Sequence, residues 1–328
     1  MGGKNFMKVG IIGLGGIAQK MAYTLNSMED AVCYGVASRN IDKAKDFANK
    51  FNIEKAYGSY EDIVKDNDIE LIYVATPHSV HYDCVKLCIE NNKPVICEKP
   101  FTVNAKQSKE IFDLAKEKGV FVTEAIWTRY MPSAKIMMDI INSGKIGQVN
   151  FVSANLGYNI KHIDRLINPN LAGGALLDVG IYPLTFIAMV LGMDIESFTT
   201  SCVKTETGVD GQNSVTLKYK NGAMAITHSS ILSATEQNGI VYGTKGYLVA
   251  ENINNVDKIC IYSEDRELLE EIKMPEQITG FEYEIRSSIK AIKECKIECD
   301  EISHSEILKM MELMDSIRNE WGIKYPFE

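Results

Sequence analysis

The sequence predicts an α/β chain of two domains. Residues 1–124 read as an open, doubly wound parallel sheet, and residues 125–328 as an α+β domain built on a mostly antiparallel open sheet. Three observations carry this. The first 124 residues alternate short β-branched apolar runs with amphipathic stretches. A glycine-rich turn follows the first of those runs. Past residue 124 the rhythm changes to alternating strands separated by turn dipeptides.

In order, KVGIIG, VCYGVAS, ELIYVATP, PVICEKP and VFVTEAI are the runs, short and apolar enough to be parallel strands buried on both faces. Between them Ile17, Met21, Thr24 and Leu25 form one stripe, Val80, Cys84, Leu87 and Cys88 a second, and Ile111, Leu114 and Ala115 a third. Each stripe has helical spacing and predicts a helix laid on the sheet. Thr102 or Asn104 can cap the third helix, and Gly119 ends it. A helix near 133–143 then leads into FVSANLGYNI, an apolar segment at 174–191, and the strands SFTTSCVK, NSVTLKYK, AMAITHSSI, NGIVYGT, GYLVAE, DKICIYS and ELLEEIKM. Asn221-Gly222 and Lys245-Gly246 mark hairpin turns. Amphipathic helices near 281–295 and 304–320 close the chain and can pack back on the first domain.

With 328 residues, 45% apolar and 24% charged, the chain can fill two cores, which argues against disorder. The longest apolar stretch, 175–191, is interrupted by Asp178, Tyr182 and Pro183 and reads as core rather than as a membrane span. MGGKNFMKVG carries no apolar leader, so a cytoplasmic location is expected. The eight cysteines lack zinc-like spacing and are expected to be reduced core residues, with no metal bound. A net charge of −9 without a basic cluster disfavours nucleic acid and anionic membranes as partners and leaves a small molecule.

Gly13-Leu14-Gly15-Gly16-Ile17-Ala18 is a G-x-G-x-x-A string between first strand and first helix. Gly13 permits the tight turn, Gly15 lets the backbone approach a pyrophosphate and Ala18 lets the helix pack close, with Gly16 and Ile17 also expected at the cofactor. The helix N-terminus offers N–H groups to phosphate. A dinucleotide is the expected cofactor. Where an NAD site usually carries an acid, about 20 residues on, this chain has Ser38-Arg39. A hydroxyl and a guanidinium suit a ribose 2′-phosphate, so NADP is expected, with NAD as the alternative. Thr76, Pro77 and His81 follow the ELIYVATP strand, and Glu98-Lys99-Pro100 ends the PVICEKP strand. The C-terminal edge of a parallel sheet is where ligands bind, so these residues are expected at the cofactor. Lys99-Pro100 is a candidate cis bond.

Together with Gly173-Gly174-Ala175-Leu176-Leu177-Asp178-Val179-Gly180-Ile181-Tyr182-Pro183, these segments resemble the glucose–fructose oxidoreductase/inositol dehydrogenase family over essentially the whole chain. EAIWTRYMP and Tyr182 are most similar to its dihydrodiol dehydrogenase and NADP-dependent D-xylose dehydrogenase branch. Many relatives have histidine where Tyr182 stands, so the resemblance moves the acid–base group here from imidazole to phenol. It implies a sugar or cyclic diol as substrate and a homodimer or higher oligomer formed through the C-terminal sheet.

Oxidation of a secondary alcohol needs a base for the hydroxyl proton. Tyrosine and lysine alone, with pKa values of about 10 and about 10.4, are poor bases near neutrality. A lysine charge beside the phenol favours phenolate, and a cationic nicotinamide disfavours ammonium. Lys99 and Tyr182 fit that pairing, with either as the final acceptor. Asp178 and Tyr182 stand at i, i+4 and share a helical face, so Asp178 is expected to bind substrate hydroxyls or orient Lys99, a salt bridge being the alternative. Trp127 can stack on a ring and Arg129 can hold a hydroxyl, with interdomain packing as the alternative for both. A catalytically silent NADP-binding regulator, or a reductase running the same chemistry backwards on a ketosugar, are the competing functions.

Overall fold

The structure is a computed structural model that describes residues 6–328. It divides into two compact units, Met1–Trp127 with Gln277–Leu308, and Thr128–Glu276 with Lys309–Glu328. The division falls at Trp127 rather than at residue 124. The segment carrying the first of the two C-terminal helices groups with the first unit.

The first unit runs β1 (Met7–Ile12), α1 (Gly16–Ser27), β2 (Ala31–Ala37), α2 (Ile41–Phe51), β3 (Lys55–Tyr57), α3 (Tyr60–Lys65), β4 (Leu71–Val74), α4 (His81–Glu90), β5 (Val95–Glu98), α5 (Ala105–Lys118) and β6 (Val122–Ala125). The six strands form one sheet in the order β3-β2-β1-β4-β5-β6. Its pairings are all parallel. Every residue of β4, β5 and β6 is buried, the pattern of strands with helices on both faces. Strand order reverses between β1 and β4, the place where ligands bind in this kind of sheet.

Local chemistry starts and stops the helices. Asn40 caps α2, its side chain accepting the Asp42 N–H at 2.9 Å and the Lys43 N–H at 3.1 Å. Asn104 caps α5 by accepting the Gln107 N–H at 3.0 Å. Thr102 instead shares a hydrogen bond with Ser108 at 2.7 Å. Gly119 ends α5 with φ +66°, a conformation in which glycine carries no Cβ penalty. The strand β3 and the helices α2 and α3 were not among the elements expected from the sequence. Three half-buried residues, Lys55, Ala56 and Tyr57, are too few for an alternation to be read.

The second unit contains α6 (Pro132–Asn142), β7 (Val149–Gly157), α7 (Asp164–Ile167), α8 (Ile181–Leu191), β8 (Ile195–Lys204), β9 (Asp210–Tyr219), β10 (Met224–Ser230), β11 (Gly239–Gly243), β12 (Gly246–Glu251), β13 (Lys258–Ser263) and β14 (Leu268–Lys273). Eight strands form a sheet in the order β14-β13-β12-β11-β7-β10-β9-β8. Only the β10–β7 pairing is parallel. Two helices complete the chain, α9 (Glu282–Lys293) and α10 (His304–Glu320).

The helix α8 packs on β7, β10 and β11. Pro169–Leu191 is long and apolar enough to cross a membrane by composition, yet 72% of its most apolar window is buried. The other face of the sheet carries a cross-strand ladder in which Phe151 faces Tyr242, Tyr242 faces Tyr247, and Tyr247 faces Tyr262. The last two rings stack with centroids 4.9 Å apart.

Candidate active site

The glycine loop lies at the point where strand order reverses. Gly13 has φ +92°, and a Cβ there would sit 2.7 Å from the Ala75 carbonyl oxygen, so the turn and the close approach of two loops both require glycine. Gly15 and Gly16 differ: no atom lies within 4 Å of where a Cβ would stand on either. Gly15 is the N-cap of α1, with no side-chain hydrogen bond at that end. Ile17 is half-buried, and Ala18 is fully buried against the sheet. Backbone N–H groups at an uncapped helix end, with open space over two glycines, fit a pyrophosphate.

At the end of β2, the Ser38 N–H donates to Tyr57 O at 3.1 Å. Its hydroxyl oxygen accepts the Asn40 N–H at 3.2 Å, which leaves the hydroxyl proton to donate. Arg39 is exposed and reaches the Tyr60 hydroxyl. Tyr60 and Asn40 were not singled out from the sequence. Asn40 could have been, since it opens an amphipathic run.

The loops after β4 and β5 are held from below. His81 has no exposure. Its Nδ1 lies 2.9 Å from Pro100 O and its Nε2 2.9 Å from Thr76 O. Burial lowers its pKa, the two carbonyl contacts opposing that shift. With both ring nitrogens engaged, His81 ties the Thr76-Pro77 loop to the Lys99-Pro100 loop, whose peptide bond is cis. Glu124 of β6 accepts the Phe101 N–H at 2.7 Å. Burial pushes the Glu124 carboxyl up to about 7, with the Phe101 bond and the Lys99 charge pulling the other way.

Glu98 is buried. It accepts a hydrogen bond from the Tyr73 hydroxyl and the Lys99 backbone N–H at 3.2 Å. Glu284 of α9 faces the same pair and is fully buried. Burial, then the Glu98 charge, raise its pKa well above the usual carboxylate range. Lys99, half-buried at the strand end, thus follows a backbone clamped by His81, Glu98 and Glu124. Trp127, at the close of this unit, stacks on Phe281 at 4.5 Å and 15°, so one face of its indole is taken.

In the second unit Asp178 lies in a π-helical turn, Leu176–Gly180, that runs into α8. Tyr182 follows, half-buried, and Arg129 is half-buried in the short turn Trp127–Arg129. The π register corrects the α-helical i, i+4 spacing expected for Asp178 and Tyr182. Pro183 has no N–H to donate, and the wider upstream turn accommodates it. Asp178 is 5% exposed and accepts a hydrogen bond from Arg165 Nη1 at 2.8 Å. Arg165 lies in the same unit as Asp178, and nothing in the local spacing of the sequence points to it as the partner. Among the described residues, no group of three or more His, Cys, Asp or Glu side chains could hold a metal.

Residues 7–126 match the family model described as an oxidoreductase family with an NAD-binding Rossmann fold, and residues 135–249 match the GFO/IDH/MocA C-terminal domain. The chain is also 34% identical to a trans-1,2-dihydrobenzene-1,2-diol dehydrogenase of Xenopus tropicalis, over 97% of this chain and 99% of that one. This chain belongs to the Gfo/Idh/MocA oxidoreductases. The mouse enzyme of the same name is 33% identical, with 98% of each chain covered. Among solved structures, the 3-ketoreductase KijD10 of Actinomadura kijaniata, in complex with NADP and TDP-benzene, superposes with a TM-score of 0.87 at 24% identity, covering 96% of this chain and 98% of that one. A levoglucosan dehydrogenase in complex with NADH and levoglucosan gives 0.87 at 18%, covering 98% and 100%. Those two likenesses concern the fold.

As a Gfo/Idh/MocA oxidoreductase, the protein carries an NAD-binding Rossmann domain. Gly13, Gly15 and Gly16, with the N-terminal amides of α1, are the residues that would hold the pyrophosphate.

Proposed function

We propose that this protein is an NADP-dependent dehydrogenase of a ring secondary alcohol, a cyclic vicinal diol or an aldose, in which Lys99 and Tyr182 handle the hydroxyl proton. The observation that carries this reading is the full-length likeness to trans-1,2-dihydrobenzene-1,2-diol dehydrogenases. The bound nicotinamide supplies the hydride acceptor. The chain must supply orientation and a path for the proton.

Lys99 stands at the C-terminal end of β5 with its backbone clamped, which supports a role that needs a fixed ammonium. Tyr182 and Lys99 are the two candidates for accepting the proton of the substrate hydroxyl. Asp178, buried and held by Arg165, is the candidate for binding substrate hydroxyls or orienting Lys99. Trp127 and Arg129 are the remaining substrate-contact candidates. Ser38 and Arg39 support the NADP preference, because a hydroxyl proton and an exposed guanidinium suit a 2′-phosphate. Thr76 and Pro77 line the cofactor crevice in this reading, and Glu98 supports it through Lys99.

The ladder from Phe151 to Tyr262 is the proposed homodimer face, flanked by Met224 and Ile226 at 41% and 39% exposure. All eight cysteines are free, in keeping with a reducing, cytoplasmic setting.

The test is a panel of trans-dihydrodiols, aldoses and inositols with NADP and NAD, read by reduced-nicotinamide absorbance. Turnover is expected with cyclic diols or aldoses. Lys99→Met and Tyr182→Phe are each expected to lose at least about a hundredfold in kcat while cofactor affinity is largely kept. Activity confined to inositols, or undiminished turnover in Lys99→Met, would overturn the reading.

A further inference from the structure

The turn that carries Asp178 and leads to Tyr182 is held at its start by a buried polar network that extends to the side of Gly180 at its end. Asp210, at the start of β9, is 1% exposed. Its Oδ2 accepts the Leu176 backbone N–H at 2.7 Å and the Asn213 side-chain amide at 2.8 Å. Its Oδ1 is buried without a hydrogen-bond partner and lies 2.3 Å from where a Cβ on Gly174 would stand. Gly174, at φ +124°, thus admits the carboxylate to the start of the π turn.

From Asn213 the network continues, its Oδ1 accepting the Ser229 hydroxyl of β10 at 3.0 Å. That hydroxyl oxygen lies 2.9 Å from where a Cβ on Gly180 would stand, at the other end of the turn. One residue before Gly174, the Gly173 carbonyl accepts the Tyr325 hydroxyl at 2.7 Å.

We propose that Asp210 is a positioning residue for the reaction, holding the π turn, and with it Asp178 and Tyr182, in working register through Leu176, Gly174 and the Asn213–Ser229 pair. The inference rests on the reading that Asp178 and Tyr182 belong to the active site. A buried carboxyl with one oxygen unpaired is a costly group for packing alone, since burial opposes its ionisation. Burial raises Asp210 to about 7, with the Asn213 and Leu176 bonds acting against it. Arg318 of α10, Tyr325 after that helix and Cys202 of β8 are the ionisable groups that sense its charge. Arg318 is itself engaged by Asp315 at 2.7 Å and Glu328 at 3.0 Å. As the carboxylate, Asp210 accepts both N–H groups strongly. Protonated, it holds them less well, so the grip is tight above pH 7 and loosens below it.

The experiment compares Asp210→Asn, and the milder Ser229→Ala, with wild type by hydrogen-exchange mass spectrometry of peptides spanning 174–184. Full-length protein is used at pH 8 and pH 6, alongside kcat across the same range and equilibrium binding of NADP. At pH 8, exchange of that segment is expected to rise about tenfold in Asp210→Asn and severalfold in Ser229→Ala, with NADP affinity within about twofold of wild type. At pH 6 wild type and Asp210→Asn should converge, and the variant's kcat profile should lack the fall below pH 7. Exchange and kcat profile matching wild type in both variants overturn the proposal. Tyr182→Phe separates the two readings: if it turns over like wild type, the assignment of the site fails. If it is inactive while both network variants behave as wild type, only the role of Asp210 fails.

Discussion

Alanine at Gly13 and alanine at Gly15 should do opposite things. A Cβ on Gly13 meets three backbone atoms, Ala75 O at 2.7 Å, Ala75 C at 2.8 Å and Thr76 N at 3.0 Å, at φ +92°. Backbone atoms cannot swing aside, so the cost combines about 1–2 kcal/mol for the positive φ with about 1–3 kcal/mol for overpacking. A loss of about 2–5 kcal/mol lowers Tm by about 5–20 °C for a body of this size. At Gly15 the backbone is extended, φ −75° and ψ −171°, and a Cβ meets nothing within 4 Å. The entropy gained by removing glycine, about 0.4–1 kcal/mol, roughly cancels the poorer N-cap preference of alanine, so Tm should stay within about 2 °C. The new methyl would instead stand where a pyrophosphate approaches, and NADP affinity should fall at least about tenfold, or about 1.4 kcal/mol. Thermal melts and fluorescence titration with NADPH read both quantities. If Gly15→Ala binds as tightly as wild type, the open space over this glycine is not the phosphate cradle, and the argument from its missing Cβ is wrong.

Arg39→Ala should weaken NADP about tenfold and NAD less than about twofold in parallel titrations; equal losses for both would show that Arg39 does not read the 2′-phosphate. Stability should fall as pH rises from about 4.5 to about 7, because the folded state keeps the Glu124 proton up to about 7 while the unfolded chain releases it near the ordinary value of 4.5. Glu124→Gln preserves an acceptor for Phe101 and removes this dependence, so its stability relative to wild type in urea melts should be greater at pH 8 than at pH 5 by about 3 kcal/mol. A pH-independent difference would contradict the assignment. Tyr247→Glu places a charge within the aromatic ladder and should shift the protein to monomer in sedimentation velocity, with melting temperature little changed; an unaltered oligomer would move the interface elsewhere.

Five of the six parallel strands were legible because each is an apolar run long enough to stand out, and the glycine loop was legible because its geometry follows from adjacent residues. The short strand β3 escaped, being three residues long without alternation. The dinucleotide-binding class follows from local pattern too, since Gly13 to Ala18 lie within a single strand-to-helix turn. The surroundings of the charged groups were a different matter. His81 stands in the expected loop, but its neighbours Thr76 O and Pro100 O come from two different strand ends. Asp178 is paired with Arg165, and Leu176 with Asp210, across 13 and 34 residues of chain. Glu284 reaches the Tyr73–Glu98 pair from a helix that follows the whole antiparallel sheet in sequence.

The sequence by itself therefore determined the fold class, the order of most elements and the dinucleotide loop, because periodicity and turn chemistry act over a few neighbouring residues. Only the tertiary structure decided which buried acids lie together, which backbone groups they hold, and that the Asp178 turn is π-helical. A carboxyl's partners and its ionisation depend on burial and on groups brought to within a few ångströms by strand pairing, and neither is encoded in local spacing.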